Sequence, residues 1–292
     1  MVAAMSNSGG LDIIGPNAGQ DAPPKNRQDS LDKMRAEIRK TKSLTDKPFG
    51  ATLINGPDLS FWRPTVQMLA EEGVSAVLIN EVLDPEIFDF FKQHGIKTMY
   101  RALTPTVANS QEAERLGADM IIATSFDEGG AVPSRVIGTF TIVPMIADSV
   151  NIPVVATGGI SDVRGVRASF ALGAEGVYVG SGFIVADECP ADEKVKQLIV
   201  NSTAEDLILF LTLPAYYRTL PTENGKKLAE LEAQSASREE MFEAMDSYHS
   251  LWQGMRLGNS DKGVVSVGTG VSMIKAVRPA SEIVADLMQD FV

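Results

Sequence analysis

Two glycine-bearing turns carry the clearest chemical signal in the chain. The first closes the run Pro153-Val-Val-Ala-Thr-Gly-Gly-Ile160 and the second closes Glu175-Gly-Val-Tyr-Val-Gly-Ser-Gly182. Gly158 and Gly159 have no side chains, so their backbone N–H groups can approach an anion. The helix expected to start near residue 162 presents its N-terminus, where free N–H groups and the macrodipole favour phosphate. Gly180 and Ser181 repeat the arrangement one strand later. As isolated turns, these glycines would need no ligand; as a pair ending consecutive strands, they predict a phosphate site. Asp127 and Glu128 are the nearest acid/base candidates. A glutamate in a dry pocket can have a raised pKa and donate a proton; otherwise the two acids cap a turn or face solvent. Arg135 suits either an anionic ligand or a rim salt bridge.

The elements that must position these residues alternate. Short runs rich in Ile and Val fall at 11–15, 48–54, 75–80, 96–100, 118–123, 153–157 and 175–179. Such runs suit parallel strands buried on both faces. Amphipathic stretches at about 28–46, 63–73, 84–94, 105–116, 139–150 and 162–173 separate them, several ending in a glycine that can close a helix. Strand, helix, strand at this spacing is a series of right-handed βαβ units. The fold class is therefore α/β, a (β/α)8 TIM barrel with the first strand missing, since seven strands are found where eight are required. The segment 2–8 reads as the end of a helix, so the absent strand would precede Met1. A doubly wound sheet is the competing topology. In a barrel, the loops after the last two strands are the usual phosphate site, and the two glycine turns occupy those places.

Residues 191–262 show no clear strand. They read as helices at 192–202, 204–211, 222–234 and 238–252, an inserted helical cap near the barrel mouth. The expected division is a barrel of residues 1–190 plus 263–292 and a cap of 191–262, with a last helix at 280–291. The proline-rich segment 16–30 reads as a loop. Within the cap, Tyr216 and Tyr217 either close over a bound ligand or pack its core. His249 and Trp252 share a helix face, and Met245, Met255 and Met273 read as apolar filler.

The chain of 292 residues has 26 basic and 38 acidic side chains, a net charge of −12. That balance argues against nucleic-acid or anionic-membrane partners. No apolar run reaches the roughly 18 residues of a membrane span, and no basic, apolar signal peptide opens the chain, so a cytoplasmic location is expected. Cys189 is the single cysteine, set among acids that disfavour its thiolate. His94 and His249 are the only histidines and lack zinc-like spacing, so no metal site is expected.

Four segments together resemble one family. The turn Ser6-Asn-Ser-Gly-Gly-Leu11 is similar to the Gly-Gly-Leu-Gly turn of nitronate monooxygenases and FMN-dependent enoyl-acyl-carrier-protein reductases. Leu44-Thr-Asp-Lys-Pro-Phe-Gly50 resembles that family's approach to its third strand. Phe126-Asp-Glu-Gly-Gly resembles its Glu-Ala-Gly-Gly-His region, and Ser266-Val-Gly-Thr-Gly270 the turn before its last helix. The resemblance covers nearly the whole chain. It implies an FMN-binding barrel with NADH or NADPH as co-substrate, a small-molecule substrate and a homodimer. It also implies cofactor contacts at Gly9, Gly10, Thr52, Arg101, Thr124, Gly129, Gly158, Gly159, Gly180 and Ser181. Glu128 and Arg101 are the catalytic candidates: a cation at Arg101 would stabilise reduced flavin, unless it serves only as a rim salt bridge. The family's histidine is Ala131 here, so a base for neutral nitroalkanes is missing, while a preformed nitronate needs none. Asp12 replaces a glycine, and a carboxylate near the flavin would oppose its anionic reduced form unless it points outward. An NAD(P)H:flavin oxidoreductase of unknown acceptor is the first expectation. Oxidation of preformed nitronates, a non-catalytic FMN or phosphate binder, and a barrel for another phosphorylated ligand are the rivals.

Overall fold

A computed structural model describes residues 1–19, 24–54, 59–212 and 215–291. Part of the 16–30 loop, residues 20–23, lies outside the described residues. In chain order the strands are β1 (Ile13–Ile14), β2 (Gly50–Thr52), β3 (Ala76–Asn80), β4 (Lys97–Arg101), β5 (Met120–Thr124), β6 (Gly130–Val132), β7 (Val154–Thr157), β8 (Gly176–Tyr178), β9 (Ile208–Leu211) and β10 (Tyr216–Thr219). Seven of them form one sheet in the order β1-β2-β3-β4-β5-β7-β8, all pairs parallel. Each expected βα unit is present, and the sheet is that of a β/α barrel.

Alternation along the strands sorts their side chains. Ala51, Val77, Ile79, Tyr100, Ile121, Ala123, Val154 and Ala156 face the surrounding helices and join the main core. Ala76, Leu78, Met99 and Ile122 pack together inside the barrel with Ile13, Met120, Val155 and Tyr178. By the same alternation, the last inward residues of six strands are Thr52, Asn80, Arg101, Thr124, Thr157 and Tyr178. All six are polar. An apolar floor therefore lies beneath a polar ring at the C-terminal mouth.

Among the described residues, β8 and β1 pair with no strand on their outer edges, so the sheet is open between them. A cavity of about 370 Å³ fills the gap, lined by Met5, Leu11, Ile13, Val179, Phe183 and Leu287 among others. The helix Val2–Asn7 and the last helix, Ala280–Met288, flank it. Asp12 and Cys189 also line this gap. Burial pushes the Asp12 carboxyl above its ordinary range, although its Oδ1 accepts the Ile13 N–H at 2.8 Å. A raised carboxyl pKa means that ionisation costs the folded state, so its stability falls as pH rises through that range. Asp12→Asn keeps the acceptor and removes the charge. It is expected to melt higher than the parent at pH 7, with the difference vanishing below the ordinary carboxylate range. Paired thermal melts across pH check this, and a constant difference would refute it.

The cap departs from the expected all-helical insert. Residues 204–211 are not one helix: a 3-10 turn, Ala204–Asp206, leads into β9. β9 and β10 pair antiparallel, and β10 pairs with β6, giving the sheet β6-β10-β9. Short apolar and aromatic runs such as Ile-Leu-Phe-Leu fit either element, and here the partner strand decides. Since β6 belongs to the barrel portion of the chain, the boundary between barrel and cap is bridged by a hydrogen-bonded ladder. The expected helix 238–252 is two, Arg238–Met245 and Ser247–Leu257, broken at Asp246, which adopts φ 39°. Met245 and Met255 pack as expected, whereas Met273 is 41% exposed. His249 stays at the surface, its ring 6.0 Å from that of Trp252.

Candidate active site

The glycine turns meet at the C-terminal mouth. Gly158, Gly159, Gly180 and Ser181 line a cavity of about 330 Å³ together with Arg101, Glu128 and Thr157. Gly158 has φ 105° and Gly159 φ 73°, a left-handed path that side-chain-bearing residues rarely follow. A Cβ on Gly158 would also collide with Ser125 Oγ. Among the described residues, no acceptor takes the N–H of Gly159 or Gly180. The expected contribution of the following helix is corrected by its cap. Asp162 accepts the N–H groups of Arg164 at 2.9 Å and Gly165 at 3.2 Å, so the N-terminus of Val163–Ala171 is already satisfied. The amides left for an anion belong to the turn. Ser181 Oγ accepts the Gly268 N–H at 2.9 Å, which leaves its own proton free to donate into the cavity.

Asp127 does not enter the cavity. Its Oδ2 accepts the Thr139 N–H at 2.8 Å and the Thr139 hydroxyl at 2.9 Å, and its Oδ1 lies 3.3 Å from Thr269 Oγ1. It ties the loop after β5 to the next helix and to the turn at 269. Arg218, only 6% exposed, reaches from β10 and donates to the carbonyls of Phe126 and Glu128. Its guanidinium lies 4.9 Å from the centroid of the Phe126 ring. Burial lowers its pKa and Asp127 opposes that shift. Glu128 accepts the Thr157 hydroxyl at 2.9 Å with one carboxylate oxygen and an Arg101 N–H with the other. That geometry makes Glu128 the electrostatic partner of Arg101, with neither oxygen placed as a free proton donor. Gly129 passes so close to Val267 and Gly268 that a Cβ there would overlap their backbone.

A second cavity, of about 730 Å³, adjoins the first through Gly129 and Ser266, which line both. Gly130, Ala131, Thr212, Tyr217, Met241, Met245 and Leu251 are among its other walls. The pair forms a polar, glycine-lined compartment opening beside an apolar one under the cap.

A sequence model of the nitronate monooxygenase family matches residues 1–290. The chain belongs to the nitronate monooxygenase family. As a member it is an oxidoreductase. A probable nitronate monooxygenase from Staphylococcus saprophyticus is 30% identical over 252 residues, covering 72% of this chain and 68% of the relative. A second, from Staphylococcus haemolyticus, is also 30% identical, covering 72% and 67%. FabK from Thermotoga maritima superposes with a TM-score of 0.87 at 30% identity, covering 99% of this chain and 87% of FabK. The nitroalkane oxidase of Streptomyces ansochromogenes shares the fold, with a TM-score of 0.80 at 21% identity, covering 99% and 90%.

In this family member the structure brings together Arg101, Glu128, Gly129, Gly158, Gly159, Gly180 and Ser181. It separates the rest. Gly9 and Gly10 precede β1, so they stand at the N-terminal end of the barrel, and Gly10 lines the gap cavity instead. Asp12 also precedes β1 and does not line the glycine cavity, although the gap cavity it lines reaches Tyr178 and Gly180. Thr52 and Thr124 are buried strand ends facing the barrel interior and do not line the glycine cavity. Arg135 is exposed. Ala131, at the family's histidine position, lines the apolar cavity. Thr157, Tyr178, Ser266 and Gly268 also line the cavity; they fall inside the quoted motifs but were not singled out. Strand alternation could have flagged Thr157 and Tyr178 as inward, terminal polar residues, whereas no local signal marks Arg218, which braces the Phe126 loop. Among the described residues, no group of three or more His, Cys, Asp or Glu side chains could hold a metal ion.

Proposed function

We propose that this chain binds FMN and transfers hydride equivalents from NADH or NADPH, through the flavin, to an organic acceptor or to oxygen. The observation that carries the reading is the two-turn cradle. The Gly159 and Gly180 amides and the Ser181 hydroxyl converge on one cavity at the barrel mouth, where a phosphate monoester fits. The ring of polar strand ends beside it suits the heteroatom edge of a flavin. Two of its buried atoms, Arg101 Nε and Thr124 Oγ1, have no hydrogen-bond partner among the described residues, and such atoms need one.

When bound, FMN supplies the two-electron chemistry. The chain's residues do the rest. The glycine turns and Ser181 would hold the phosphate. Arg101 would supply a positive charge to the same cavity, which favours an anionic reduced cofactor. Glu128 fixes the direction of that guanidinium and moderates its charge. Asp127 and Arg218 hold the loop that carries Glu128 and Gly129. The cap covers the second cavity and limits water there.

Ala131 favours one alternative in particular. No imidazole stands at the position from which a base would take the α-proton of a neutral nitroalkane, so within nitronate chemistry the preformed anion is the suited substrate. An anaerobic absorption spectrum of the FMN-loaded protein before and after NADH, then NADPH, separates these readings. Bleaching of the visible flavin band by either nucleotide is the expected result. Bleaching only by a nitronate would select the alternative, and no bleaching by any donor would overturn catalysis in favour of a binder.

A further inference from the structure

The apolar cavity contains one hydrogen-bonded polar pair from the cap and the tail. Tyr217 Oη and Ser266 Oγ are 2.6 Å apart. Tyr217 is opposite Ala131 in the β6–β10 ladder. Directly opposed residues of an antiparallel pair point to the same face, so the phenol stands across the strand from the position where the family carries histidine. Its hydroxyl lies 3.9 Å from where a side chain on Gly130 would begin. On the other side, the ring stacks on Phe210 with centroids 5.7 Å apart. Met241, Phe242, Met245 and Leu251 supply an apolar stretch of the wall, and Asn17, Thr212 and Arg238 a polar one.

We propose that Tyr217, held by Ser266, donates its phenolic hydrogen to the charge-bearing oxygen of a substrate whose apolar chain lies under the cap. The inference rests on the oxidoreductase reading and adds to it a residue that positions the substrate oxygen. Nitronates and α,β-unsaturated carbonyls, the substrates the family resemblance implies, both present such an oxygen and are its two chemical sources. A hydroxyl has one hydrogen. If Ser266 donates to the phenol oxygen, the phenol hydrogen is left for the cavity. Burial holds the Tyr217 pKa above its ordinary value, so the group is a donor at neutral pH and not a base. That matches substrates needing no proton removed, and it complements the loss of the imidazole at Ala131. The cavity's size and its methionines accept a chain of varied length.

The test uses the full FMN-loaded chain and straight-chain carboxylates, which mimic a nitronate's planar, two-oxygen anion but exchange no electrons with the flavin. Affinity is expected to rise from butanoate to hexanoate to octanoate, by about fourfold per methylene. Tyr217→Phe keeps the ring on Phe210. It is expected to weaken hexanoate about 10- to 100-fold, to leave the chain-length trend intact and to melt as a folded protein. Ser266→Ala should lose part of that affinity and Ser266→Thr should restore it, which a purely structural role for Ser266 would not produce. Unchanged hexanoate affinity in Tyr217→Phe would overturn the proposal. So would transfer of the whole loss to Arg238→Ala, because Arg238 lines the same cavity and offers the rival anion site. Comparing hexanoate with an α,β-unsaturated hexenoyl thioester separates the two sources. Failure of NADH, NADPH and a nitronate alike to bleach the flavin, with hexanoate selectivity intact, would sink the catalytic reading and leave the pocket assignment standing; the reverse pattern would sink only the latter.

Discussion

Gly180→Asp is expected to remove FMN binding from a protein that folds normally. A Cβ at Gly180 meets nothing within 4 Å, and the residue is not at positive φ, so a side chain is tolerated sterically. The added carboxylate would stand beside the phosphate cradle. Two unit charges about 4 Å apart at an effective dielectric near 20 repel by ~4 kcal/mol, which corresponds to a roughly 1000-fold loss of affinity. Flavin titration followed by fluorescence quenching reads the loss, and a thermal melt without flavin reads the fold. Gly180→Ala is the control and should bind within a fewfold of the parent. Retention of FMN by Gly180→Asp would place the phosphate elsewhere. This substitution separates electrostatics from sterics better than one at Gly158, where any side chain also strains the backbone and strikes Ser125.

Arg218→Ala should produce the largest loss of stability among single substitutions at the site. Arg218 is nearly inaccessible and donates to two carbonyls of the loop that carries Glu128. Hydrogen bonds from a charged donor contribute about 1.5–3 kcal/mol each, and removal leaves two buried carbonyls without that donor. A total loss of about 3–5 kcal/mol follows. The loop should loosen more than the barrel. Hydrogen exchange is expected to rise at residues 126–130 and at β6, with β3 and β4 unaffected. Arg218→Lys can reach one carbonyl and should recover part of the stability. A uniform rise in exchange across the barrel would show that Arg218 supports the whole fold instead of this loop.

The order of elements was legible because its signals are local. Buried parallel strands announce themselves as short Ile- and Val-rich runs, and helix ends as glycines. The left-handed turn at Gly158 and Gly159 was legible for the same reason, since it needs only its own backbone to make the bend. The helix N-terminus offered at residue 162 was overstated because its cap, Asp162, sits inside the motif that drew attention. Gly9 and Gly10 were misassigned because a motif does not say at which end of its strand a turn lies. In a parallel barrel, that end decides everything about site membership.

The same division runs through the whole molecule. Composition and periodicity by themselves determined an α/β fold of parallel βα units, with the barrel favoured over a doubly wound sheet, and the glycine turns marked two consecutive strand ends as candidates for an anion. The family resemblance added that alanine stands at 131 in place of a histidine. Only the tertiary structure decided that Ile208–Leu211 and Tyr216–Thr219 are strands, because a short apolar run has no intrinsic preference strong enough to resist a partner strand. Only it set Tyr217 across from Ala131, joined Arg101 to Glu128 and brought Arg218 under the Phe126 loop. Those contacts join residues distant in sequence. They depend on strand register and packing, which no local pattern encodes.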